Sequence, residues 1–221
     1  MKKLLTIKHS KSLLMMLFIG LMVCAGCKDE EENTYFHHKI SESLYPLLFN
    51  EGSYWIYNNT DTTLFDTIVL TKVEIDTLVY GPSGPGQGSP GEEQVYVLSY
   101  TSSQFGAYQR TLREDYISRG WMVGGEPIGV EYLSSHQIGD ELLSAKIADI
   151  YNSFVVNGES YADVVKMDVI NYGGNFPGDM NIYYVDYVGI IKKVIAKTDN
   201  TTETWELLKY TIVPSSKVGW N

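Results

Sequence analysis

Thr67-Ile68-Val69-Leu70-Thr71-Lys72-Val73-Glu74-Ile75-Asp76-Thr77-Leu78-Val79 is the stretch from which the fold is read. Its odd positions are Thr67, Val69, Thr71, Val73, Ile75, Thr77 and Val79, all β-branched, while Lys72, Glu74 and Asp76 take even ones. Successive side chains of a strand point to opposite faces, so this period of two predicts a strand with an apolar odd face and a wet even face.

Similar runs lie on both sides. Strands are predicted at Ser53 to Asn58, Gln94 to Thr101, Ala107 to Leu112, Tyr116 to Val123, Tyr161 to Ile170, Asn181 to Asp186, Ile190 to Lys197 and Thr204 to Val213. In the last, Trp205 and Leu207 share one face but Leu208, Tyr210 and Ile212 the other, which predicts a bulge near Leu207. Asn157-Gly158, between Phe154-Val155-Val156 and Tyr161, is the pair a type I′ hairpin turn requires, because both residues tolerate positive φ. Tyr172 to Asp179 and Thr198 to Thr201 read as polar connections. Gly139 to Ile150 fits a helix capped by Asp140 or a strand through Leu143, Ala145, Ile147 and Asp149. The strand is preferred, since the hairpin that follows needs a partner. The expected class is all-β or mainly β: a single antiparallel curved sheet forming a barrel or half-barrel, with room for one short helix.

The N-terminus is built differently. Lys2, Lys3, Lys8 and Lys11 precede an apolar run from Leu13 to Val23, and Cys24-Ala25-Gly26-Cys27 closes it with small residues. The run is shorter than the ~20 apolar residues of a bilayer span. The segment resembles a bacterial lipoprotein signal with Cys27 as the lipidated residue, although Cys24 stands where that lipobox usually has Leu. Residues 1–26 are then a signal peptide, 27–42 a lipidated acidic tether and 43–215 the β-rich domain. Lys28-Asp29-Glu30-Glu31-Glu32 resembles the export signal of Bacteroidota surface lipoproteins, which implies an outer-membrane protein facing the cell exterior. The same acids also suit a solvated tether on a periplasm-facing protein.

Removing the leader takes four lysines and no acid, leaving 13 basic against 27 acidic residues, a formal charge of −14. Such a field repels phosphate backbones and excludes a nucleic-acid partner. Cys24 leaves with the signal and Cys27 carries lipid, so no thiol remains for a disulfide, a metal site or a nucleophile. No cofactor or metal is expected. All 17 tyrosines lie in the mature part, and the roughly 180 residues after the tether are enough to bury a core and fold as a monomer.

Three blocks carry a further resemblance: Tyr45-Pro46-Leu47 with Gly52 to Tyr57, Asn157 to Lys166, and Tyr183 to Lys192. They are similar to segments of uncharacterised β-rich Bacteroidota lipoproteins, which implies an antiparallel barrel-like domain and names no ligand. Read from the residues, Trp55 is a core aromatic, Val164 and Val165 a buried hairpin arm, and Gly189 a bend where a side chain would crowd the sheet.

Catalytic patterns are absent. No Gly-x-Ser-x-Gly elbow, His-Glu-x-x-His helix or phosphate-cradling loop occurs. His37 and His38 fall in the tether, and His136 would need both a nucleophile and an orienting group. Glu92-Glu93, Glu114-Asp115 and Asp140-Glu141 are adjacent, whereas glycosidase carboxylates face each other across a cleft. Gly86, Gly88 and Gly91 have dinucleotide-fingerprint spacing, but Pro90 and a following strand leave no helix for the phosphate. Asn58-Asn59-Thr60-Asp61 and Asp199-Asn200 offer oxygens to calcium, yet Asx residues chiefly form turns.

Two functions follow. One is a non-catalytic surface domain that binds a glycan or a protein partner through tyrosines near solvent, among them Tyr108, Tyr116, Tyr132, Tyr183, Tyr184 and Tyr187. The other is a carrier of an apolar ligand, a lipid, inside the curved sheet. An exposed aromatic platform favours the first and a large enclosed apolar cavity the second.

Overall fold

The computed structural model describes residues 36–80, 91–114, 116–120, 129–135, 137–142, 145–169, 179–197 and 199–215, all within one compact unit, Phe36–Asn221. Cys27, Lys28, Asp29, Glu30, Glu31, Glu32 and His136 lie outside them.

The chain runs β1 (Phe36–His38), a 3-10 helix (Glu42–Leu47), β2 (Tyr54–Asn59), β3 (Phe65–Tyr80), β4 (Gly91–Ser102), β5 (Gly106–Leu112), β6 (Tyr116–Gly120) and β7 (Gly129–Leu133). It continues through β8 (Glu141–Leu142), β9 (Ala145–Tyr151), β10 (Phe154–Val156), β11 (Glu159–Tyr161), β12 (Val164–Val169), β13 (Met180–Val185), β14 (Gly189–Ala196) and β15 (Thr202–Thr211). The main sheet has the order β7-β6-β5-β4-β3-β2-β15-β14-β13-β12-β9-β8 and is antiparallel along that path. It curls until it is nearly closed into a barrel. The first long strand therefore pairs with the last, β2 with β15, and the sheet ends in mid-chain at β7 and β8. Across that seam Tyr132 of β7 meets Tyr184 of β13, ring centroids 4.9 Å apart.

Bulges bend the wall, as closure of a sheet demands. Registers shift between Leu70 and Lys72, Ile117 and Ser118, Lys166 and Met167, Tyr183 and Tyr184, and Leu207 and Lys209. The last is the bulge expected near Leu207. Inward positions carry Trp55, Tyr57, Leu70, Leu98, Tyr100, Leu112, Ile147, Met167, Ile182 and Leu207, all buried. Each aliphatic among them contributes ~1.5–3 kcal/mol through burial.

The 3-10 helix packs at the end of the barrel where β2 begins, with Leu44 and Leu47 buried and Phe49 edge-on to Trp55 at 5.1 Å. Pro46 lacks an N–H to extend a helix, and its carbonyl accepts the Tyr187 N–H at 3.1 Å. The indole of Trp55 donates to the Val188 carbonyl at 2.6 Å, and Gly189, at φ +91°, leaves room for Phe49 and the Tyr132 hydroxyl.

The structure differs from the sequence reading in several details. β3 is a strand throughout, but its buried residues are the even Asp66, Ile68 and Leu70, while Val79 is 69 % exposed. The bulge after Leu70 changes the alternation, and the strand then outruns the barrel wall. The Glu141–Leu142 and Ala145–Tyr151 segments are strands, as preferred, and β9 pairs with β12, which carries the expected arm of Val164 and Val165; the run expected from Tyr161 to Ile170 breaks after Tyr161, so β10 and β11 form a separate hairpin. That hairpin turns through Asn157 and Gly158, both at positive φ, as expected. It folds over the outer face of β13 to β15, with Phe154 stacked on Tyr183 at 4.9 Å and the Asn157 amide donating to Asn58 Oδ1 and the Leu207 carbonyl. Phe36–His38 pair in parallel with Gly91–Glu93, and Ile40 is buried, so regular structure starts inside the span read as tether.

Candidate functional site

Two places in the barrel concentrate chemistry. The first is its interior. Along β5, Tyr108, Arg110 and Leu112 share the inward face, which drives a guanidinium into the core. Its carboxylate partner comes from an irregularity: Ile117 pairs with Tyr132 and Ser118 with Val130, so Glu131 is the extra residue of a bulge. Bulges re-aim side chains, and this one turns Glu131 inward, where Oε2 accepts the Arg110 Nε–H.

Arg110 is 5 % exposed and Glu131 2 %. The guanidinium lies 4.6 Å from the Tyr100 ring centroid, 5.6 Å from Tyr108 and 5.9 Å from Tyr132. Tyr100 and Tyr108 are directly opposed across β4 and β5 and stack at 5.3 Å. Nearby, Lys193 Nζ sits 5.0 Å from the Tyr57 ring, and the Tyr57 hydroxyl donates to the Ile190 carbonyl at 2.8 Å.

The electrostatics are those of a buried ion pair ringed by tyrosines. Burial pushes the phenols of Tyr57, Tyr100 and Tyr132 up, and Arg110 opposes that rise in each. Burial, the largest influence, lowers Arg110, but Glu131 together with Tyr108, Tyr132 and Tyr100 outweighs it and holds the guanidinium firmly protonated. The arrangement fixes register and packing across β4, β5 and β7.

The second place is the rim at the opposite end from the 3-10 helix, built from the β2–β3, β4–β5 and β14–β15 turns. Asp66, itself buried, accepts from the Ser102 hydroxyl at 2.7 Å, the Ser103 hydroxyl at 3.3 Å and the Gln104 N–H at 3.3 Å. Gln104 in turn donates through Nε2 to the Phe65 carbonyl at 2.7 Å. These bonds set the β4–β5 turn against the start of β3. The turn presents Phe105, which is 46 % exposed and edge-on to Trp205 at 6.1 Å. Beside it stand Leu64 and Phe65, 48 % and 53 % exposed. Asn59 Oδ1 accepts the Asp61 N–H, Asp61 Oδ2 the Thr204 N–H and Asp199 Oδ1 the Thr201 N–H. Of the Asx residues weighed as calcium ligands, Asn59 and Asp199 thus form turns, Asp61 ties the β2–β3 turn to β15, and Asn58 accepts from Asn157. Among the described residues no three His, Cys, Asp or Glu side chains are grouped to hold a metal.

The tyrosines expected near solvent divide. Tyr108, Tyr132 and Tyr184 are core residues, Tyr116 and Tyr183 are half-buried, and Tyr187 alone of the six is strongly exposed, at 71 %. The barrel interior takes the rings that an open sheet would have shown to water. Of the adjacent carboxylates, Glu93 grips the Arg113 guanidinium through both oxygens, at 3.0 and 2.6 Å, and Asp140 accepts from the Ser135 hydroxyl. Sequence reasoning passed over Arg110, Glu131, Leu64, Phe65 and Phe105. Arg110 was discoverable as a charge on the same face as Tyr108 and Leu112; Glu131 was not, because its direction depends on a bulge.

No family model matches the chain, and no curated protein matches it in sequence. Among solved structures, it is similar to a predicted exported protein of Bacteroides fragilis NCTC 9343 with a YmcC-like fold. The two share 9 % identity over 74 % of this chain and 97 % of that one, with a TM-score of 0.42.

Proposed function

We propose that the chain is a lipid-anchored envelope protein, held in the outer membrane through Cys27 and facing the cell exterior, whose barrel is a non-catalytic module that binds an uncharged glycan at the Leu64, Phe65 and Phe105 rim. The carrying observation is that rim: Phe105 exposed on a turn that Asp66 ties to the start of β3, where Phe65 is exposed as well. Aromatic faces stack on the apolar faces of sugars, and Thr62, Asp61 and Gln104 around them supply hydroxyl, carboxylate and amide groups for sugar hydroxyls. The charge of −14 left by removal of four lysines disfavours anionic polymers. The carrier reading has less support, because the interior is occupied by tyrosines and the Arg110–Glu131 pair.

A glycan array with the mature chain should give hits that fade in Phe65→Ala and Phe105→Ala and change little with salt, since uncharged ligands release no counterions. Hits indifferent to both substitutions would displace the rim, and no hits at all would favour a protein partner. Glycan or ester hydrolysis by the purified chain would overturn the non-catalytic reading. For the anchor, Cys27→Ser should leave the membrane fraction. Alanine at Asp29, Glu30, Glu31 and Glu32 should protect the protein from protease added to intact cells; unchanged cleavage would return those acids to a tether role.

A further inference from the structure

β3 and β4 continue past the barrel. β2 accompanies β3 only as far as Val69, and β5 accompanies β4 only from Tyr96 onward. What remains, from Asp76 to Tyr80 against Gly91 to Val95, is a projecting arm whose other neighbour is β1, with Phe36 opposite Gly91 and, at the root of the arm, Ile75 opposite Tyr96. On this arm Ile75, Leu78 and Val79 are exposed, at 39 %, 37 % and 69 %. Alternation places Ile75 and Val79 on one face and Leu78 on the other, so the arm shows apolar side chains on both sides of its outer end.

The edge of β3 is closed to a further strand at two points. The Val73 N–H bonds Glu51 Oε1 at 3.0 Å, and the Thr77 N–H bonds Asp76 Oδ1 at 2.8 Å. Charged side chains that occupy edge amides discourage strand addition. The apolar end therefore calls for an occupant that needs no strand pairing.

Chain connectivity supplies one. Eight residues, 28–35, separate Cys27 from Phe36, and those nine steps reach at most about 32 Å. β1 joins the fold at the outer end of the arm, whereas the rim lies eleven residues further along β4, about 36 Å away. We propose that Ile75, Leu78 and Val79 rest on the lipid bilayer that holds the acyl chains of Cys27, which directs the rim away from the membrane. This rests on the lipid-anchor reading above. Asp76 stands exposed on the same arm and the chain left by removal of the leader carries −14, so the surface that suits the arm has zwitterionic rather than anionic head groups.

The test separates the arm from the anchor. The mature chain is coupled through the Cys27 thiol to a maleimide lipid in phosphatidylcholine vesicles, which needs no biological acylation. An environment-sensitive fluorescent amino acid is placed at position 79 in one protein and at 105 in another. The probe at 79 should shift to the blue and be quenched by spin-labelled lipid, while the probe at 105 should read as in water. Ile75→Ser with Leu78→Ser, both at exposed positions, should abolish the effect at 79, and phosphatidylglycerol vesicles should weaken it. A watery reading at 79, equal quenching at both sites, or stronger contact with phosphatidylglycerol would overturn the proposal. Mass spectrometry of the native N-terminus reports on acylation separately, so failure of the anchor is told apart from failure of the arm.

Discussion

Glu131→Ala is expected to be among the most damaging single changes in the barrel. Arg110 is 5 % exposed and its Nε bonds Glu131, so the substitution leaves a cation in the core with its carboxylate gone. Breaking a buried pair from one side costs about 3–5 kcal/mol. The rings of Tyr100, Tyr108 and Tyr132 remain and retain some attraction for the cation, but Lys193 is a second buried cation over Tyr57 in the same interior. The upper half of that range is expected for Ala and the lower half for Gln, which keeps an acceptor oxygen. Against a typical total of about 5–15 kcal/mol, this is a large share. Urea unfolding of the mature Cys27→Ser chain is the assay, with an unchanged slope confirming that only stability moved. The decisive comparison is Arg110→Met with Glu131→Leu. Removing both charges together should recover most of the loss, giving a strong coupling in the double-mutant cycle. A cost below about 1 kcal/mol for Glu131→Ala, or additive losses in the double variant, would refute the reasoning, given the cost expected for an unpaired buried charge.

Three further outcomes can be measured. Asn157→Ala removes the two bonds to Asn58 and Leu207 and sets at φ +48° a residue that lacks the short polar side chain by which asparagine tolerates the left-handed region, so it should cost about 1–3 kcal/mol and open residues 152–161 to hydrogen exchange before the rest of the barrel. Gly189→Ala places Cβ 3.3 Å from the Tyr132 hydroxyl and 3.4 Å from Phe49 at φ +91°, which should lower the melting temperature through a strain of about 1–3 kcal/mol. The phenols of Tyr57, Tyr100 and Tyr132 are raised chiefly by burial, so their contribution is complete below the unfolded tyrosine pKa of about 10 and is lost as pH climbs from there through the folded values. Their tyrosinate absorbance should appear together with loss of the β-sheet circular dichroism, not before it.

The strands were legible because their signal is local. Alternation at Thr67 to Val79, the Asn157-Gly158 pair and the face switch at Leu207 and Leu208 each state a backbone preference within a few residues. What alternation cannot state is which face is inside. The bulge after Leu70 reverses the sense of the pattern, and beyond it Ile75, Leu78 and Val79 are exposed whichever face of β3 they occupy. Tyrosines were ambiguous for a related reason: an amphipathic ring suits water or a polar core equally, and closure of the sheet sends Tyr108, Tyr132 and Tyr184 to the core. Glu131 reads on paper as a surface acid between Val130 and Tyr132. Only its place as the extra residue of a bulge, within reach of an inward arginine two strands away, makes it a core group. The rim is also tertiary, since Phe105 comes to the same end of the barrel as Leu64 and Phe65 only when Asp66 gathers the Ser102 to Gln104 turn.

Native mass spectrometry of the mature Cys27→Ser barrel tests the central claim most directly. An interior filled by Tyr57, Tyr100, Tyr108, Tyr132 and the Arg110–Glu131 pair should give the bare polypeptide mass, with no co-purifying lipid and none taken up from added fatty acid. A stoichiometric lipid adduct, displaced by bulkier side chains at inward positions such as Ile147 or Met167, would show that the sheet opens to hold a ligand, and would contradict a module that binds from its rim.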